Sequence, residues 1–100
     1  MPMEVNAKIG DVVIATAGRD EGKYFLVVGE ENGKVLITDG KTRKVKTPKT
    51  KSQKHIKIIL SDADKPLAER ISQGQPVSNE KVKKVVDGVK KIKIGGKVCV

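Results

Sequence analysis

The chain has 100 residues, 37% of them hydrophobic, with Lys+Arg 21 against Asp+Glu 12 and a formal net charge of +9 at pH 7. That suffices for one small domain and one modest core, and no stretch approaches the roughly 18 apolar residues of a membrane span. A lone Cys99 and a lone His55 exclude an internal disulfide, a cysteine metal cluster and a histidine-rich zinc site.

Gly10–Ala17 (GDVVIATA) is apolar and β-branched, with Asp11 marking its start, and predicts a first strand. Gly18-Arg19-Asp20-Glu21-Gly22 predicts a turn whose two carboxylates are solvated or bonded to backbone. Lys23–Gly29 predicts a second strand and Glu31-Asn32-Gly33 a hairpin turn. Lys34–Thr38 predicts a third strand, ended by the turn pair Asp39-Gly40, where the Asp39 side chain holds the turn. Arg43–Thr47 predicts a short exposed fourth strand, and Pro48 with its Lys, Thr and Ser neighbours a loop. Lys54–Leu60 predicts a half-buried fifth strand with Ile56, Ile58 and Leu60 on one face and His55 and Lys57 on the other. Five short strands in about 55 residues point to a small antiparallel barrel.

After Ser61 the pattern turns helical. Asp64 predicts the cap of a short helix from Lys65 to about Gln73, with Pro66 in its first turn, Gly74 at its end, and Leu67, Ala68 and Ile71 on its buried side. Ser78 or Asn79 predicts the cap of a second helix through about Lys91, with Val82, Val85, Val86 and Val89 at i, i+3, i+4 and i+7. Ile92–Val100 alternates around Gly95-Gly96 and predicts a tail or a tiny hairpin. The expected organisation is a barrel over 1–61, a helical extension over 62–92 and a tail over 93–100.

The charge is segregated along the chain. Residues 1–40 hold four basic and seven acidic side chains, residues 41–60 eight basic and none acidic, and residues 61–100 nine basic and five acidic. The central block is Lys41, Arg43, Lys44, Lys46, Lys49, Lys51, Lys54 and Lys57, with His55 beside them. An acid-free block of this density neutralises phosphates and releases their counterions, the main source of nucleic-acid affinity. The partner expected is therefore a nucleic acid, contacted through Lys41, Arg43, Lys44, Lys46, Lys49, Lys51, Lys54 and His55; double-stranded DNA fits the charge alone, but no recognition helix for a major groove is apparent. Readers of single strands stack bases on aromatic rings. Here Tyr24 and Phe25 are the only aromatics, and strand neighbours point to opposite faces, so recognition of the shape and phosphates of folded RNA is favoured.

Gly10-Asp11-Val12-Val13, then Gly18-Arg19-Asp20-Glu21-Gly22-Lys23 and an apolar strand, resemble a KOW motif, carried by several ribosomal proteins and transcription-elongation factors. With Val35–Gly40, the basic loop and Lys54-His55-Ile56-Lys57, residues 9–60 resemble a narrower group: small bacterial RNA-binding proteins related to a KOW-type large-subunit ribosomal protein of archaea and eukaryotes. Leu67-Ala68-Glu69-Arg70 and Val77–Val82 are similar to the tail of the bacterial members, and the likeness ends at Gly88. The resemblance implies an SH3-like barrel and binding of ribosomal RNA in the ribosome or its assembly. It implies that Gly22, with Gly18, shapes a tight turn, and that Arg19 and Lys23 face the RNA.

Other chemistries fit poorly. Gly18-x-x-x-Gly22-Lys23-Tyr24 is one residue short of a phosphate-binding P-loop and lacks its Ser/Thr. His55 has no carboxylate near it in sequence to complete a relay. No catalysis, cofactor, small-molecule substrate or membrane partner is expected. Residues Met1–Lys8 lack the apolar run of a signal peptide, so a cytoplasmic protein is expected. The competing expectation is an adaptor that docks on RNA polymerase or a translation factor, with the acidic first forty residues and the valine stripe as its working surfaces. Ribosomal proteins are further expected neighbours.

Overall fold

A computed structural model describes residues 6–98, with side chains from Asn6 to Lys91. Five strands, β1 (Val12–Ala15), β2 (Tyr24–Glu31), β3 (Lys34–Thr38), β4 (Lys49–Ser52) and β5 (Ile56–Leu60), form one antiparallel sheet in the order β4-β3-β2-β1-β5. A 3-10 turn, Gln53–His55, joins β4 to β5, and the helices α1 (Lys65–Ser72) and α2 (Asn79–Val98) follow. The chain is thus a small SH3-like barrel with a helical C-terminal part.

β1 and the first half of β2 are apolar without interruption because both faces of the sheet are covered there. Val13, Ala15, Phe25, Val27, Val35 and Ile37 point into the barrel, joined by Ala7, Ile56 and Ile58. Their neighbours Val12, Tyr24, Leu26 and Val28 point outward and meet Leu67, Val82, Val86 and Val89 of the helices. The β2–β3 hairpin turns on Asn32 (φ 51°) and Gly33 (φ 78°), both left-handed, as a two-residue turn matched to strand twist requires.

Asp11 locks the barrel to the start of the helical part. It is 1% exposed, and its carboxylate accepts hydrogen bonds from the N–H of Lys8 (3.0 Å) and of Asp62 (3.1 Å). A buried carboxylate is tolerated only with such donors. One residue further on, the Ala63 N–H donates to the Gly10 carbonyl at 3.0 Å. Asp64 then caps α1, its Oδ1 accepting from the Leu67 N–H at 3.0 Å. Ser78 caps α2 by accepting from the Lys81 N–H at 3.1 Å.

Three expectations are corrected. The fourth strand is Lys49–Ser52 and not Arg43–Thr47. The N–H groups of Lys41, Arg43 and Val45 are drawn away to Asp39 and Asn79, whereas the segment after Pro48 is free to pair, Lys49 with Ile37 and Ser52 with Lys34. In β5, Ile56 and Ile58 reach the barrel interior, but Ile59 joins the helical layer and Leu60 is 42% exposed. A bulge, where the pairing jumps from Val13–Ile58 to Val12–Leu60, breaks the simple alternation. The hairpin expected over Ile92–Val100 is replaced by helix through Val98. Extending a formed helix adds a hydrogen bond per residue fixed, whereas an isolated hairpin is marginal. Cys99 and Val100, like Met1–Val5, lie outside the described residues.

α2 lies directly against the backbone of the barrel at Gly40. There φ is +76°, and a Cβ would lie 2.2 Å from the Asn79 carbonyl oxygen and 2.9 Å from the Lys83 nitrogen. Gly40→Ala is therefore expected to cost about 2–4 kcal/mol, combining left-handed strain with a backbone clash. Urea denaturation measures it, and a loss below about 1 kcal/mol would show that α2 shifts freely on the sheet.

Candidate nucleic-acid interface

β1 and β2 run so that the loop between them (residues 16–23) and the loop between β3 and β4 (residues 39–48) emerge at the same end of the sheet. Most of the cationic residues singled out from the sequence lie at or near this end.

The β3–β4 loop is knit by its own polar groups. Asp39 Oδ1 accepts from the N–H of Lys41 (2.9 Å) and of Arg43 (2.8 Å). The Arg43 carbonyl in turn accepts from the N–H groups of Asp39 and Gly40, both at 3.1 Å, and from the Thr38 hydroxyl. Beyond this turn, the Val45 N–H donates to Asn79 Oδ1 at 2.7 Å while its side chain packs into the helical layer. The backbone is thus pinned at both ends, and the side chains of Lys41, Arg43, Lys44 and Lys46 stand exposed. Among the described residues none of the four has an acidic partner within 4 Å.

The β1–β2 loop carries Arg19, between Gly18 (φ 85°) and Gly22 (φ 88°), and Lys23 directly after Gly22, both exposed. Because it joins two strands, its glycine-lysine stretch has no P-loop geometry. Asp20 is not the solvated or backbone-bonded carboxylate expected. It forms an ion pair with Lys49 and a longer contact of 3.9 Å with Lys23. The Lys49 ammonium bonded to Asp20 holds its carboxyl below the usual carboxylate range, against a smaller opposing effect of burial.

Lys49 and Lys51 therefore differ from the other candidates. Both lie on β4, half-buried, and Lys51 Nζ donates to the Ala17 carbonyl at 3.0 Å. They strap the β1–β2 loop to the sheet, and Lys49 already holds a counter-charge. His55 is exposed beside the same loop, its carbonyl accepting the Thr16 N–H at 2.9 Å. Lys54 is not gathered here. It lines a separate hollow with Asn6, Ala7, Gln53 and Lys57.

Two cations at this end were not foreseen. Lys83 and Lys90 of α2 share a cleft with Lys23 and Lys41. Their positions flanking the valine stripe place them at its border on a helical wheel, but only the docking of α2 shows which loops face them. The described residues contain no group of three or more His, Cys, Asp or Glu able to hold a metal ion. No helix among them is long and apolar enough to cross a membrane. No protein-family model matches the chain, and no curated protein matches it.

The Asp20–Lys49 pair is partly exposed and is worth at most about 1 kcal/mol. Its sign is fixed by the depressed carboxyl: the stabilisation is complete above the ordinary Asp value near pH 4 and disappears as the pH falls through the lower folded value. Asp20→Asn is expected to be slightly less stable than the parent at pH 7, with the gap closing as the pH falls through the lowered Asp20 value. Thermal denaturation from neutral to acid pH is the check, and a gap that does not narrow below the ordinary Asp range would assign the loss to something other than the ion pair.

Proposed function

We propose that the protein binds RNA, with folded ribosomal RNA as its target, in the ribosome or during its assembly in the cytoplasm. The observation that carries this reading is the β3–β4 loop, which holds Lys41, Arg43, Lys44 and Lys46 exposed on a pinned backbone, without acidic partners among the described residues. A preordered loop loses little conformational freedom when it meets phosphates, so more of its electrostatic attraction is kept as affinity. Arg19 and Lys23 extend the same end of the barrel, and His55 adds a ring N–H donor. The role is positioning and charge neutralisation, with no reaction.

The placement of the aromatics supports recognition of phosphates and shape over base stacking. Phe25 is inside the barrel at 2% exposure, and Tyr24 is half-buried against the helical layer. Neither is offered as an open stacking platform of the kind single-strand readers use. The adaptor alternative loses one of its two working surfaces, since Val82, Val86 and Val89 are buried against Val12, Leu26 and Leu67 of the chain itself.

With four to eight phosphates contacted, affinity for a ribosomal RNA fragment is expected to fall with salt at a log–log slope of roughly −3 to −7. Lys44→Glu combined with Lys46→Glu is expected to weaken binding about tenfold or more while leaving the circular dichroism and melting temperature unchanged. Fluorescence anisotropy titrations measure both quantities. A flat salt dependence would count against RNA, and an unchanged affinity in the double variant would move the site off this loop. A stable complex with a purified protein in nuclease-treated extract, without RNA affinity, would favour the adaptor.

A further inference from the structure

The cleft between the loop end of the barrel and α2 is walled by Lys23 of the β1–β2 loop, Lys41 of the β3–β4 loop, and Lys83 and Lys90 of α2. Its volume is about 290 Å³. Two carboxylates also line it, and both are engaged. Asp39 accepts the N–H groups of Lys41 and Arg43, and Asp87 Oδ2 receives Lys83 Nζ at 3.1 Å. Lys41 and Lys90 have no acidic partner within 4 Å among the described residues, and the acid nearest Lys23 is the Asp20 already taken by Lys49. Four ammonium groups from three separate segments thus line one cleft against two carboxylates, one of them paired with Lys83, and the positive excess favours an anion.

The geometry of α2 makes this more than a chance gathering of surface lysines. Its register is fixed by the close approach at Gly40, by the Asn79–Val45 hydrogen bond and by the buried valine stripe. Lys83 and Lys90 are two helical turns apart, about 10.5 Å along the axis. A pair with that spacing follows a run of phosphates, where a single small anion would engage only one of them.

We infer that α2 is the second half of the RNA interface, with Lys83 and Lys90, across the cleft from Lys23 and Lys41, seating the phosphodiester backbone of a folded RNA. This rests on the RNA-binding reading above, and it gives α2 a contact role that the barrel motif does not carry.

The test compares the full chain with Lys83→Gln/Lys90→Gln and with a matched control, Lys34→Gln/Lys65→Gln, which removes the same charge from exposed positions outside the cleft. Glutamine keeps a good helix propensity, and circular dichroism verifies the fold. The probe is a fluorescein-labelled RNA hairpin at low salt. The α2 variant is expected to bind roughly tenfold more weakly with a salt slope shallower by about 2, and the control to change less than about twofold. Tyr24 lines the cleft and is the only tyrosine of the chain, so its ring NMR signals need no assignment. They are expected to shift when the hairpin is added to the parent protein. Parental binding with an α2 variant of equal affinity and slope would overturn the role of α2 and leave the barrel reading standing. Equal losses in variant and control would also overturn it, by showing a general charge effect. A parent that does not bind the hairpin at low salt would overturn both readings.

Discussion

There is no room for a methyl group between Gly40 and the first turn of α2. This contact sets where the helix lies on the barrel, and so which side chains share the loop end with the basic loop. Asn79, at the start of the same helix, reaches across to hold the Val45 N–H. Loop and helix are therefore mutually positioned. The loop is shaped by a helix that begins 34 residues after Val45, and the helix is seated by a glycine in the loop. Displacing either would scatter the cations that the other presents.

Acidic side chains have an inward role here that composition conceals. Asp11 serves two N–H groups, those of Lys8 and Asp62, Asp39 serves two more within the basic loop, and Asp20 is held by Lys49. Three of the seven carboxylates that make residues 1–40 acidic are thereby tied up within the fold. The acids close to the loop end, Asp20 and Asp39, are turned onto Lys49 and onto backbone N–H groups, while Lys41, Arg43, Lys44 and Lys46 stay exposed. Carboxylates that accept backbone N–H bonds stabilise turns without adding residues of their own, which leaves the neighbouring lysines outward.

The parts of the fold written in apolar periodicity were legible before the structure. β1, β2, β3 and the two helices lie close to where their β-branched runs and caps place them, since burial selects those patterns directly. β4 was missed because its sequence, KTKS, has no apolar residue and no alternation; it is a strand only because β3 offers unpaired backbone groups beside it. Leu60 was misplaced because a bulge in β5 inserts one residue, and no side-chain pattern marks a bulge. For the candidate interface, the acid-free stretch identified the β3–β4 loop correctly as an exposed cationic segment. It could not separate Lys49 and Lys51, which strap a neighbouring loop, from Lys44 and Lys46, which face outward. Nor could it find Lys83 and Lys90, whose contribution depends on tertiary docking.

The hydrogen bond from Val45 to Asn79 also imposes an order on events during synthesis. Residues that fill the barrel interior end at Ile58, and the chain emerges from its N-terminus. The sheet can thus assemble around its inner cluster while the segment that completes the outer layer is still being made. The basic loop receives its last anchor only when residues 79–89 have arrived and the valines have found Val12 and Leu26. Until then its backbone keeps its local turn but lacks the distant clamp. The basic loop therefore gains its full rigidity by a long-range step, from a residue that emerges after those of the barrel's inner cluster.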